Sequence, residues 1–237
     1  MSKFEPRDLN RRHLLGGIGM GTAAAMIPPA AFADEGRAAT AQEVVDDSTH
    51  VASRMRNGEY AKQINFLLEK ARGVMVFPSL LKGGFIFGAE GGTGVLMGRD
   101  KESGNWSYPA FFSTGSASWG LQIGVQDSQV MMLLMNDSAL YRALDNELEM
   151  GADASVAAGR IGKDFEFSTT NMLKDIYFYA ETKAGLYAGV SLEGSAFIVR
   201  EKLNHAYYNS AEANPHSIIM DRRFRKGAAK PLITSVS

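Results

Sequence analysis

The sequence predicts an α+β fold: a curled, mainly antiparallel, glycine-rich β-sheet or partial barrel, with N-terminal helices and one or two further helices. Three observations predict it. Along residues 185–195, Leu186, Ala188, Val190 and Leu192 alternate with Tyr187, Gly189, Ser191 and Glu193, the period-two pattern of a strand with one buried face. Residues 130–135 are apolar throughout, as in a strand covered on both faces. The stripe Ile64, Leu67, Leu68 and Ala71 follows the i, i+3, i+4, i+7 spacing of one helical face.

The first residues read as an address rather than as part of the fold. Arg11 and Arg12, followed by His13, Leu14 and Leu15, form a twin-arginine export motif. Residues 14–26 are mildly apolar and rich in Gly and Ala, too short to span a bilayer stably. Pro28 and Pro29 end any helix there. Ala31, Phe32 and Ala33 fit a small-x-small cleavage site, with Asp34 as the first mature residue. The expected organisation is a signal peptide over 1–33, one domain over 34–220, and a basic, flexible tail over 221–237. A periplasmic or secreted location follows.

Thr40 and Glu43 read as a capping box opening the first helix. Val44, Val45, Val51, Ala52 and Met55 lie near one face of it, and Gly58 ends it. The second helix is expected over 59–71. From Gly73 the texture changes to short β-prone runs punctuated by glycine, with Phe85, Phe87 and Ala89 in alternation. Residues 100–105 form a polar turn. Asn136, Asp137 and Ser138 offer an N-cap to a helix over 138–147, in which Leu140, Leu144 and Leu148 recur. Ile176, Phe178 and Ala180 alternate with Tyr177, Tyr179 and Glu181. Residues 197–199 close the strand series, and 201–209 read as the last helix. Beyond Pro215 the pattern is weak, and 227–237 are expected to be mobile.

Composition narrows the function. Without cysteine there is no disulfide, thiolate nucleophile or thiolate metal site. Removing the leader leaves 21 basic against 24 acidic residues, a net charge of −3. Grips on a nucleic-acid backbone usually read basic, so nucleic acid is not an expected partner. Any electrostatic lipid site must be a local patch.

Catalytic signals are sparse. Ser191, with Glu193 and Ser195 nearby, lacks the last glycine of a nucleophile elbow. The glycine runs do not spell a phosphate loop or a dinucleotide fingerprint. His50, His205 and His216 show no zinc-ligand spacing. Asp145, Glu147 and Glu149 read as a solvated helix end, and Asp153 as a turn residue. No enzyme activity, metal or cofactor is expected.

Several blocks carry a family resemblance. Residues 70–79, 83–88, 91–96, Trp106 to Ala110, 120–124, 151–159 and 185–195 occur in order, spread from about Glu43 to about Ile219. Together they resemble the SYLF lipid-binding domain, found in bacterial secreted proteins and in eukaryotic membrane-trafficking and actin-patch proteins. The resemblance implies a non-enzymatic protein that contacts phospholipid headgroups at a membrane surface. It also implies a protein partner as the alternative, because eukaryotic relatives bind actin. In those relatives a basic amphipathic N-terminal helix is implicated in phosphoinositide binding; here that helix carries Asp46 and Asp47 beside Arg54 and Arg56.

Two basic groups are the lipid-binding candidates: Lys62, Lys70 and Arg72 at the helix-to-strand junction, and Arg222, Arg223, Arg225 and Lys226 around Phe224, with Lys230 beyond. Phe111, Phe112, Trp119, Tyr177, Phe178 and Tyr179 are candidates for lining an acyl-chain site, with core packing as their default role.

Overall fold

The computed structural model describes residues 29–82, 92–116, 126–148, 156–158, 174–182 and 195–237. Within them the chain builds a seven-stranded sheet between two apolar layers. The elements, in order, are α1 (Pro29–Arg56), α2 (Ala61–Leu68), β1 (Gly73–Lys82), β2 (Thr93–Gly98), β3 (Ala110–Ser116), β4 (Gln126–Leu134), α3 (Asp137–Leu144), β5 (Val156–Ala158), β6 (Ile176–Thr182), β7 (Ser195–Val199), α4 (Glu201–Tyr208), a π-helical turn (His216–Met220), a 3-10 turn (Gly227–Ala229) and α5 (Lys230–Val236). The spatial order is β5-β6-β4-β1-β2-β3-β7. Every pairing is antiparallel except β5 with β6. This is the expected α+β class with a curled, mainly antiparallel sheet.

Alternation sorts the strand residues into two layers, since successive side chains point to opposite faces. Met75, Phe77, Leu96, Phe112, Met132, Phe178 and Phe197 share one core with α3 and the π-helical turn. Val74, Val76, Val95, Met97, Phe111, Met131, Tyr177 and Tyr179 share the other with α1, α2, α4 and α5. A strand covered on both sides has no polar face, which is why β4 reads as an unbroken apolar run. The aromatic candidates Phe111, Phe112, Tyr177, Phe178 and Tyr179 are all buried here. They pack the core, and Trp119 lies outside the described residues.

Pro78 lies inside the central strand β1, where it has no N–H for the ladder. The register with β4 shifts between Phe77 and Leu80, so the proline sits at an irregularity, the tolerated place for it. Gly94 on β2 answers a different demand. A Cβ there would lie 2.4 Å from Val76 O and 2.5 Å from the Phe77 ring, so only glycine lets β2 approach β1 at this point.

Three expectations need correction. Thr40 does not open α1: the helix starts at Pro29, runs unbroken through Ala33 and Asp34, and Thr40 Oγ1 donates to Gly36 O inside it at 3.0 Å. Cleavage after Ala33 would remove its first turn. The helix at 201–208 is not the last. Nor is 221–237 a flexible tail, because Ala229, Leu232 and Val236 are buried in the layer that contains Val45, Val51 and Met55. The Arg56 guanidinium fastens this end, its Nη1 donating to Ser235 O at 3.0 Å and Ser237 O at 2.6 Å. A cation is favoured at such unpaired helix-terminal carbonyls. The runs at 83–91, 120–124 and 151–155, and most of 185–195, lie outside the described residues.

Candidate functional site

One arginine from each basic group, Arg72 and Arg222, 150 residues apart in sequence, bonds to the connection between β2 and β3. Arg99 leaves β2 and turns back to the end of α2. Its Nη1 donates to Leu68 O at 3.1 Å and Glu69 O at 2.7 Å, and its Nε to Gly104 O at 2.8 Å. Those α2 carbonyls lack intrahelical partners and carry the negative end of the helix dipole.

Arg72 joins the same network. Its Nη1 donates to Arg99 O at 2.5 Å, and its Nε pairs with Asp137 Oδ1 at 2.7 Å. Asp137 opens α3 next to the cap Asn136, whose Oδ1 accepts from Ala139 N. Lys101 pairs with the second Asp137 oxygen. Hydrogen bonds from Lys101 and Arg72 hold the Asp137 carboxyl below the usual range. Asp100 is also held low, chiefly by the Ser103 N–H and hydroxyl, with the Arg222 charge adding to it.

The C-terminal basic group arrives from the opposite side. Arg222 adopts a left-handed backbone, φ 53°, uncommon for a residue with a long side chain. This aims Nη2 at Asn105 O, 2.9 Å, and Nη1 at Trp106 O, 3.5 Å. The Trp106 ring lies 5.5 Å from the Arg99 guanidinium, within reach of a cation–π contact. Arg223 pairs with Glu212 and lies 5.8 Å from the Phe224 ring. Phe224 packs on Tyr208 at 5.5 Å.

Arg72, Arg222 and Arg223 are thus structural cations that tie α2, the β2–β3 connection, α3 and the C-terminal segment together. The other four candidates differ. Lys62, Lys70 and Arg225 are exposed, Lys226 half-buried, and none forms an ion pair with a described residue. Lys70 Nζ lies 4.7 Å from the Phe66 ring and Lys226 Nζ 5.2 Å from that of Tyr207, so each ammonium is steered by an aromatic face without being neutralised. Sequence reasoning missed Arg99, the centre of the rim. No pattern marks it; its role arises from the hairpin meeting the end of α2.

The other candidates fall elsewhere. His216 Nε2 meets Asp145 Oδ1 at 2.7 Å, so both tie the π-helical turn to the end of α3. Ser195 is buried at the start of β7. Ser191, Glu193, Asp153 and Glu149 lie outside the described residues. Among the described residues, no group of three His, Asp or Glu converges as for a metal ion, and no helix is long and apolar enough to cross a membrane.

Comparison with known proteins adds the family. The family described as "Ysc84: Las17-binding protein actin regulator" matches residues 115–237, including the C-terminal segment that the sequence resemblance stopped short of. The chain is similar to SH3 domain-containing YSC84-like protein 1 of Xenopus laevis, 30% identical over 194 residues, 81% of this chain and 56% of that protein. It is 30% identical to Protein YSC84 of Saccharomyces cerevisiae over 172 residues, 71% of this chain and 36% of that one. The Homo sapiens YSC84-like protein 1 is 31% identical over 169 residues, 71% of this chain and 48% of its own length. The chain thus spans about half or less of these relatives. A 194-residue alignment exceeds the family match, so the likeness also covers the helices and strands before residue 115. With its sheet, its blocks and these relatives in agreement, the chain belongs to the Ysc84 family, the SYLF domain of the sequence resemblance.

Proposed function

We propose that this protein is an exported, non-enzymatic module that touches phospholipid headgroups peripherally. The observation that carries the reading is the set Lys62, Lys70, Arg225 and Lys226, which form no ion pairs with described residues, beside a rim held in place by its own arginines. Each such cation near an anionic surface contributes about 1 kcal/mol at most, and salt reduces it. Four of them give weak, reversible attachment. The fixed carboxylates of Asp100 and Asp137 lie in the same rim and limit the attraction. Contact is therefore local and shallow.

Export by the twin-arginine route, with cleavage between Ala33 and Asp34, rests on Arg11, Arg12 and the apolar run that follows. Sedimentation of the cleaved protein with vesicles, anionic in one tube and neutral in another, tests the lipid reading at low salt. Pelleting with the anionic vesicles is expected. A supernatant-only result in both tubes overturns it.

A second reading is favoured by the family description, which names Las17 binding and actin regulation. On this reading the same rim receives a protein. Recovery of one stoichiometric protein from envelope extract, in a pull-down that retains no lipid, would establish it over the first.

A further inference from the structure

Between α1, α2 and α5 runs an open groove of about 720 Å³, within the size range of small-molecule sites. Its charged side chains are of one sign. Arg56 and Lys230 line it, and no carboxylate does among the described residues. Six of the seven other lining residues carry a hydroxyl or an amide, with Ser53, Asn65 and Thr234 on three different helices.

The two cations are prepared differently. Arg56 is fixed: Nε donates to Asn65 Oδ1 at 2.6 Å and Nη1 to Ser235 O in α5 and to the Ser237 oxygen just beyond it. Its Nη2 meets no described acceptor. Lys230 is exposed and forms no ion pair with a described residue. A planar guanidinium held in place and an exposed ammonium on the same groove suit a phosphate group. Hydroxyls and amides around them suit a ligand that itself carries hydroxyls, since such partners exchange donors and acceptors.

We propose that this groove binds a small phosphorylated polyol, its phosphate between Arg56 and Lys230 and its hydroxyls against Ser53 and Thr234. The groove shares no residue with the rim that faces vesicles, so the two readings stand or fall separately. Because α5 forms one wall, an occupant also fastens the C-terminal segment to α1.

The test is calorimetric titration of the full chain with glucose 6-phosphate and with sn-glycerol 3-phosphate, using glucose and inorganic phosphate as controls. Both phosphorylated probes are expected to bind about 10-fold or more tighter than the controls, and Lys230→Ala to weaken them about 10-fold, as for one lost charged hydrogen bond. Thr234→Val, also exposed, is expected to weaken them about 3-fold. Thr234→Val, which removes no charge, leaves the salt-dependent pelleting with vesicles unchanged. Phosphatidylglycerol vesicles that compete with glycerol phosphate identify a lipid headgroup as the source; failure to compete identifies a free metabolite. No binding of either phosphorylated probe at millimolar concentration, equal binding of inorganic phosphate, or affinity unmoved by Lys230→Ala overturns the proposal.

Discussion

The side-chain amide of Asn204 continues the sheet beyond the end of a strand by pairing with the backbone of Phe111. Phe111 N–H donates to Asn204 Oδ1 at 2.8 Å, and Asn204 Nδ2 donates to Phe111 O at 3.4 Å. Arg200 N–H shares that carbonyl at 2.9 Å. β7 stops at Val199, so a helix side chain supplies the bonds the strand no longer makes. Asn204 is fully buried, and buried backbone groups left unpaired are costly. Asn204→Leu is expected to cost about 2 kcal/mol or more. Asn204→Asp keeps the acceptor for the Phe111 N–H but sets a buried carboxylate against the Phe111 carbonyl, so it is expected to cost at least as much at pH 7. Urea unfolding of the three proteins decides the order.

The C-terminal segment should behave as part of the domain. Arg56→Ala removes the bonds to Asn65, Ser235 and Ser237, and Leu232→Ala removes a fully buried side chain. The second is expected to cost about 2–4 kcal/mol. In both, trypsin should cut after Arg225 or Lys226 sooner than in the parent chain. A parent chain cut there at once would return 221–237 to the status of a loose tail.

Asp137 gives the rim an acid limit. Its folded-state pKa lies below the ordinary aspartate range because hydrogen bonds from Lys101 and Arg72 favour the charged form. A depressed carboxyl contributes stability that is present above the unfolded pKa and is lost as pH falls through the folded one. The loss therefore falls below about pH 4. Asp137→Asn should lower stability at pH 7 and flatten its decline between pH 4 and 2, as read from urea midpoints across that range.

Gly94→Ala tests the close approach of β2 to β1. The added methyl would meet Val76 O and the Phe77 ring at contact distances no Cβ tolerates. A loss of about 3 kcal/mol, or failure to fold, is expected, because the obstacle is backbone in a central strand. Gly104→Asn, at φ 70° with nothing near its Cβ, should cost little by comparison.

Much of this fold was legible because local pattern and burial agree. Ile64, Leu67 and Leu68 are buried on the expected face of α2. Residues 130–134 are buried on both faces of β4, and the alternation over 176–181 divides between the two cores. What the sequence hid has physical causes. Thr40 sits three residues before a glutamate, but capping requires the helix to begin there, and this one begins at Pro29. The short α5 follows a charged run, and its Pro231 reads as a breaker, although proline is favoured in a helix's first turn. The rim was half visible. Its cations stand out as charges, but which of them are spent on carbonyls and carboxylates depends on where the β2–β3 connection lands.

The most direct test of a peripheral, charge-led contact is the affinity for anionic vesicles as a function of salt. The parent chain is compared with one carrying Lys62→Ala, Lys70→Ala, Arg225→Ala and Lys226→Ala. Steady weakening of the parent with salt and a loss on the order of 100-fold in the variant at low salt are expected. Equal affinities of the two proteins, or binding that ignores salt, would contradict a charge-led contact.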